Sequence, residues 1–164
     1  MKHLILGYGY CGYYLAQLLV KQKHKVWTVS RSLIDEYRLD KVHHLQADIT
    51  VGLPLLDEMS VIHYMIAPSR QGVTDENIRQ WLSINSVKTR KIIYYGSSGI
   101  YGDQQGLLVN EGSMCNLVSE RQFRRLDAEQ KLMDYGKKNH ISVGLLRIAG
   151  IIGPNRIPYK KIQQ

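Results

Sequence analysis

The chain has 164 residues, 44% hydrophobic and 22% charged, and its 22 Lys and Arg against 14 Asp and Glu give a formal net charge of +8. That length predicts one globular domain over residues 1–164, and the composition excludes a disordered or fibrous chain. The longest apolar runs fall short of the roughly 18 residues a spanning helix needs, and the two cysteines, Cys11 and Cys115, lack metal-ligand spacing. Neither a membrane segment, a disulfide scaffold nor a metal site is therefore expected, and a reducing cytoplasm is the expected compartment. The basic residues are scattered with no run of five, which argues for an anionic metabolite rather than nucleic acid as partner.

Lys2–Leu6 is a short apolar run ending at glycine, the pattern of a buried strand. From Tyr10 onward, Cys11, Leu15, Leu18 and Leu19 share one helical face, predicting a helix that ends within Lys21–Lys25. Cys11 reads as a small buried packing group. A second strand is predicted over Lys25–Val29 and a third over Leu45–Ile49. Val61–Ala67 reads as a fourth, closed by Pro68. Ile78, Trp81 and Leu82 predict a helix over Thr74–Lys88 with Thr74 as its N-cap. Lys91–Tyr95 is a fifth strand, followed by the turn-rich Gly96–Gly99. Glu120–Lys138 favours helix, stopped at Gly136 with Lys137 and Lys138 at the negative end of the dipole. Ser142–Ile148 is the sixth strand. Such alternation predicts an α/β fold, a parallel sheet with helices on both faces.

Gly7-Tyr8-Gly9-Tyr10-Cys11-Gly12 fits G-x-G-x-x-G, with a strand directly before it and an amphipathic helix directly after. In that setting Gly7 makes the tight turn, Gly9 lets a pyrophosphate approach the main chain, and Gly12 permits close helix–strand packing. The amides opening the helix then face the anion along the positive end of the dipole. An NAD site usually places an acid about 20 residues further on. Here strand two ends in Val29-Ser30-Arg31-Ser32, without an acid before Asp35. An arginine among hydroxyls suits a 2′-phosphate, so NADP(H) is expected over NAD(H).

Further segments carry a family resemblance over nearly the whole chain. Ala47-Asp48-Ile49, Ala67-Pro68-Ser69, Tyr95-Gly96-Ser97-Ser98-Gly99-Ile100-Tyr101-Gly102-Asp103, Ala128-Glu129 and Leu146–Pro154 with its Leu-Arg and Gly-Pro follow one another in order. Together they resemble the extended and atypical short-chain dehydrogenase/reductases, the NAD-dependent epimerase/dehydratase-like proteins. The resemblance implies a Rossmann-type doubly wound sheet in three layers. It implies that Asp48 meets the adenine end of the cofactor and that Ala67, Pro68 and Ser69 line its middle. Gly153 and Pro154 would lie near the nicotinamide, and Ser97 or Ser98 would meet a substrate carbonyl or alcohol. The substrate would be a small molecule such as a nucleotide sugar, and the family commonly pairs as a homodimer through the helices predicted at Thr74–Lys88 and Glu120–Lys138.

Two departures qualify it. The family's catalytic tyrosine and lysine fall at Arg121 and Arg125, and a permanently charged guanidinium cannot act as a general base. Arg125 is left as an anchor for an anion, and Tyr101 as the surrogate phenol. The literal Tyr37-x-x-x-Lys41 lies after strand two, on the wrong element. The chain also lacks most of the family's C-terminal substrate region. An epimerase/dehydratase-like oxidoreductase working by nicotinamide hydride transfer is thus one expectation. A non-catalytic, redox-sensing dinucleotide module, or a truncated inactive member of the family, is the other.

Overall fold

The computed structural model describes residues 1–157; the sequence features at Pro158 and Lys160-Lys161 lie outside them. Strands β1 (Lys2–Leu6), β2 (Lys25–Ser30), β3 (Val42–Gln46), β4 (Val61–Tyr64), β5 (Lys91–Ser97) and β6 (Ser142–Ile148) form one sheet in the order β3-β2-β1-β4-β5-β6. Every neighbouring pair is parallel. Helix α1 (Tyr10–Lys21) packs on one face, where Ile5, Ala16, Leu19, Val26 and Val42 form a core. Helices α2 (Glu76–Ile84) and α3 (Glu120–Asn139) cover the other, over a larger core that includes Leu4, Ile62, Tyr64, Trp81, Tyr94 and Leu132. This is the three-layered, doubly wound Rossmann-type α/β arrangement, with strand order reversing between β1 and β4.

Several predicted boundaries move, each for a local reason. β3 runs over Val42–Gln46, not Leu45–Ile49, because the Asp48 carboxylate accepts from the Thr50 amide at 2.9 Å and folds the chain into a turn. α2 is capped by Asp75, whose side chain accepts from the Asn77 amide, and not by Thr74. It stops at Ile84, where Asn85 turns the chain by accepting from Val87. β4 ends at Tyr64, short of Ala67, while β5 continues through Gly96 and Ser97, paired with Arg147 and Ile148. Gly136 does not end α3. A side chain there would collide with Val143, so the glycine permits α3 to press on β6, and the helix ends at His140 in the left-handed region. On α1 the buried positions are Gly12, Ala16 and Leu19; Leu18 is exposed and Cys11 only half-buried.

No helix among the described residues is long and apolar enough to cross a membrane.

Candidate functional site

At the carboxyl ends of β1, β2 and β4, where the strand order reverses, lies a cleft of about 830 Å³. The glycine loop forms its floor. Gly7 holds φ +91°, and a Cβ there would strike Ile66, so only glycine makes this turn. Its amide and that of Tyr8 donate to Val29 O, at 3.0 and 3.3 Å, fastening the loop to β2. A Cβ on Gly12 would press on Tyr8, Gly7 O and Ile5, which is the tight helix–strand contact the pattern predicts. Gly9 is different: nothing lies within 4 Å of where its Cβ would project. Bare main chain meets open space there. Gly9 is also the N-cap of α1 and offers no side-chain cap, and the first turn of α1 carries no acid, so the positive end of the dipole has no internal anion.

The far end of the cleft is walled by Ser30, Arg31 and Asp48. Ser30 Oγ donates to Ser32 O at 2.7 Å, shaping the turn that carries Arg31. Arg31 is exposed and has no ion pair among the described residues. The Asp48 carboxyl is held below the usual carboxylate range, first by the Thr50 hydroxyl and amide and then by the charge of Arg31. It stays ionised and fixed within its own turn.

Ala67 and Pro68 form the third wall, joined by Arg70, which sequence reasoning passed over. Its signal was available: it is the first cation after Pro68, two residues on. The wall is tied down from behind. Ser69 N donates to Asp75 Oδ1 at 3.1 Å, Asn77 Nδ2 donates to Ala67 O at 3.3 Å, and Asp75 N donates to Asp127 Oδ2 on α3 at 2.8 Å. Asp75 is fully buried, and burial pushes its carboxyl upward.

The remaining expected residues lie beyond this cleft. Ser97 Oγ accepts from Gly99 N at 3.1 Å, capping a short helical turn over Ser98–Tyr101, and Ser98 is half-buried within it. Tyr101 is buried, and its hydroxyl accepts from Arg147 at 2.9 Å while the guanidinium also stands over its ring. Arg147 in turn grips Glu129 with two nitrogens, at 2.8 and 3.2 Å. That network occupies the α3 side of the sheet, the side Gly96 faces. Ser97 alternates to the other. Arg121 is exposed on α3, while Arg125 turns inward against Tyr94, where its charge partly offsets the upward push of burial on that phenol.

Gly153 and Pro154 do reach the glycine loop. Tyr10 Oη donates to Pro154 O at 3.0 Å, and a side chain on Gly153 would collide with that hydroxyl. Burial pushes the Tyr95 phenol upward.

No protein-family model and no curated protein sequence matches the chain. Solved structures do match. The UDP-glucuronic acid 4-epimerase of Bacillus cereus, in complex with NAD, superposes with a TM-score of 0.81 at 22% identity over 96% of this chain and 58% of its own. The UDP-glucose 4-epimerase of Thermotoga maritima, with UDP-glucose, gives 0.75 at 17% identity over 97% and 59%. A protein of unknown function from Silicibacter pomeroyi gives 0.78 at 24% identity over 97% and 57%. The chain thus has the fold shared by NAD-dependent UDP-sugar epimerases and spans less than two thirds of their length.

Proposed function

We propose that this chain binds a nicotinamide dinucleotide across the β1–β4 cleft and belongs to an epimerase/dehydratase-like oxidoreductase acting on a nucleotide sugar or a similar alcohol or ketone. The observation that carries the reading is Gly9: uncovered main chain at the uncapped, acid-free start of α1, open to the cleft. A diphosphate fits that chemistry, since it would complete the amides and the dipole together. Ser30, Arg31 and Asp48 would hold the adenosine end, and Ala67, Pro68 and Arg70 the middle. When bound, the nicotinamide supplies hydride transfer; the chain's own residues bind and orient. The structural neighbours bound to NAD and to UDP-sugars support the reading.

Within it, NADP(H) is the favoured form, because Arg31 stands exposed beside Ser30 and Ser32 with no carboxylate partner among the described residues. Titration with NADPH and NADH, followed by nicotinamide fluorescence, tests both statements. We expect tighter NADPH binding in the native chain, and a loss of about tenfold for NADPH alone in Arg31→Ala. Equal affinities, or tighter NADH, would reject the Arg31 assignment; no binding of either would reject the dinucleotide reading.

A second reading, a dinucleotide-binding module without turnover, is favoured by one observation. The tyrosine–lysine positions are Arg121 and Arg125, and the Tyr101 hydroxyl is already engaged by Arg147. Binding without oxidation or reduction of candidate nucleotide sugars would select it. Pairing of two copies through α2 and α3 also belongs to the proposal, as does a cytoplasmic setting; light scattering reads the first.

A further inference from the structure

Behind the third wall of the cleft, two tyrosines lie side by side on the α2–α3 face of the sheet. Tyr64 ends β4 and Tyr94 is its register partner on β5. Their ring centres stand 6.0 Å apart, and the Trp81 ring of α2 packs against Tyr64 at 5.2 Å. All three side chains are closed off from solvent, at 1% exposure or less. Phenylalanine would fill the same space, so the two hydroxyls add nothing to the packing. Neither hydroxyl has a hydrogen-bond partner among the described residues. Asp75 is satisfied on one side only. Its Oδ1 accepts from the amides of Ser69 and Asn77, at 3.1 Å each, whereas its Oδ2 is buried and without a partner among the described residues.

The three oxygens share one part of the core. Asp75 caps α2, the helix that carries Trp81 against Tyr64. Burial pushes both phenols up, and the Asp75 charge adds to that push at each. Leaving such groups unpaired in a dry core costs free energy at every one of them. A carboxylate oxygen only accepts, while a hydroxyl both donates and accepts; water, with two of each, can join them. At Tyr94 the charge of Arg125 acts against that of Asp75, so both signs are present and a neutral ligand fits better than an ion.

We propose that Tyr64, Tyr94 and Asp75 enclose a binding site for ordered water, which joins β4, β5 and α2 and holds the third wall of the cleft from behind. One carboxyl group then serves two sides: Oδ1 fixes the wall through the Ser69 amide, and Oδ2 meets the water. The site itself stands independently of what fills the cleft; only the shape it gives the wall bears on the dinucleotide reading.

Three measurements on the full chain test this, none of them with a nucleotide: a high-resolution crystal structure, urea unfolding of Tyr64→Phe and Tyr94→Phe, and amide hydrogen exchange at Ser69 in both variants. Each variant removes one oxygen and keeps the ring, so the core packs as before. We expect water density within hydrogen-bond distance of both hydroxyls and of Asp75 Oδ2. Urea midpoints should fall by about 0.5 M in either variant, and Ser69 should exchange about fivefold faster. A dry cluster, with Asp75 Oδ2 turned directly onto a phenol, overturns the proposal. Midpoints that hold or rise also overturn it, because deleting an unpaired buried hydroxyl is neutral or stabilising. Ser69 exchange unmoved by the loss of either hydroxyl overturns the hold on the wall. All of these failures leave the dinucleotide reading to its own titrations, and a chain that binds no dinucleotide leaves the water site in place.

Discussion

Along β1, β2 and β4 two groups at the cleft, Gly9 and Arg31, are left open, whereas beyond β5 the serine and the phenol at the expected substrate positions are engaged by their neighbours. Gly9 faces empty space and Arg31 has no ion pair among the described residues, but Ser97 caps its own turn and Tyr101 is bound by Arg147. The first region has the open character of the proposed receptor; the second is knit as a scaffold.

The sharpest way to break that contrast is to cut the scaffold. Glu129→Ala strands the Arg147 guanidinium, whose side chain is only 20% exposed, and should cost about 3–5 kcal/mol in urea unfolding. If the variant is as stable as the parent, the Arg147 network is not structural and Tyr101 becomes a stronger candidate for substrate contact.

The seam between the regions is His63 on β4. It hydrogen-bonds His3 on β1 and Tyr95 on β5, both at 3.0 Å, and burial, then the nearby His3, pushes it down to about 4 from an ordinary 6.5. The unfolded chain therefore takes up this proton first. The stability of the neutral ring is complete above about pH 6.5 and drains away as pH falls toward 4, by about 3 kcal/mol in all. Urea midpoints measured above, within and below that window should fall accordingly, and should fall less in His63→Phe. Identical pH profiles for the two proteins would remove His63 as the seam.

A smaller effect, confined to binding, is expected at the receptor. Gly9→Val points a side chain into the cleft without meeting protein, so affinity for a dinucleotide should drop at least about tenfold while the thermal midpoint stays put. Undiminished affinity would mean that the ligand does not touch this stretch of main chain.

Much of the receptor could be read in advance because its logic is local. A strand, three glycines at fixed spacing and a helix are contiguous, and the same short range holds for Ser30-Arg31-Ser32. The expected parallel sheet follows from alternation of elements alone. The features that are not legible in the sequence depend on partners far apart in the chain. Gly136 looks like a stop signal until Val143 is placed against it. Tyr10 and Pro154 are separated by most of the sequence. The β3 boundary differs from the pattern because hydrophobicity favours Leu45–Ile49, whereas the Asp48 side chain accepts hydrogen bonds from Thr50 and bends the backbone. Tyr101 could be located but not interpreted, since its environment is made by Arg147 and Glu129 from two other elements.

The central position of β1 also sets an order of assembly. Lys2 lies opposite Lys25 on one side, while His3 waits for Val61 on the other. During synthesis the β1–α1–β2 unit can close early, over a short loop, whereas the second flank of β1 stays unpaired until β4 has left the ribosome. For that interval one edge of an apolar strand is open to wrong pairing.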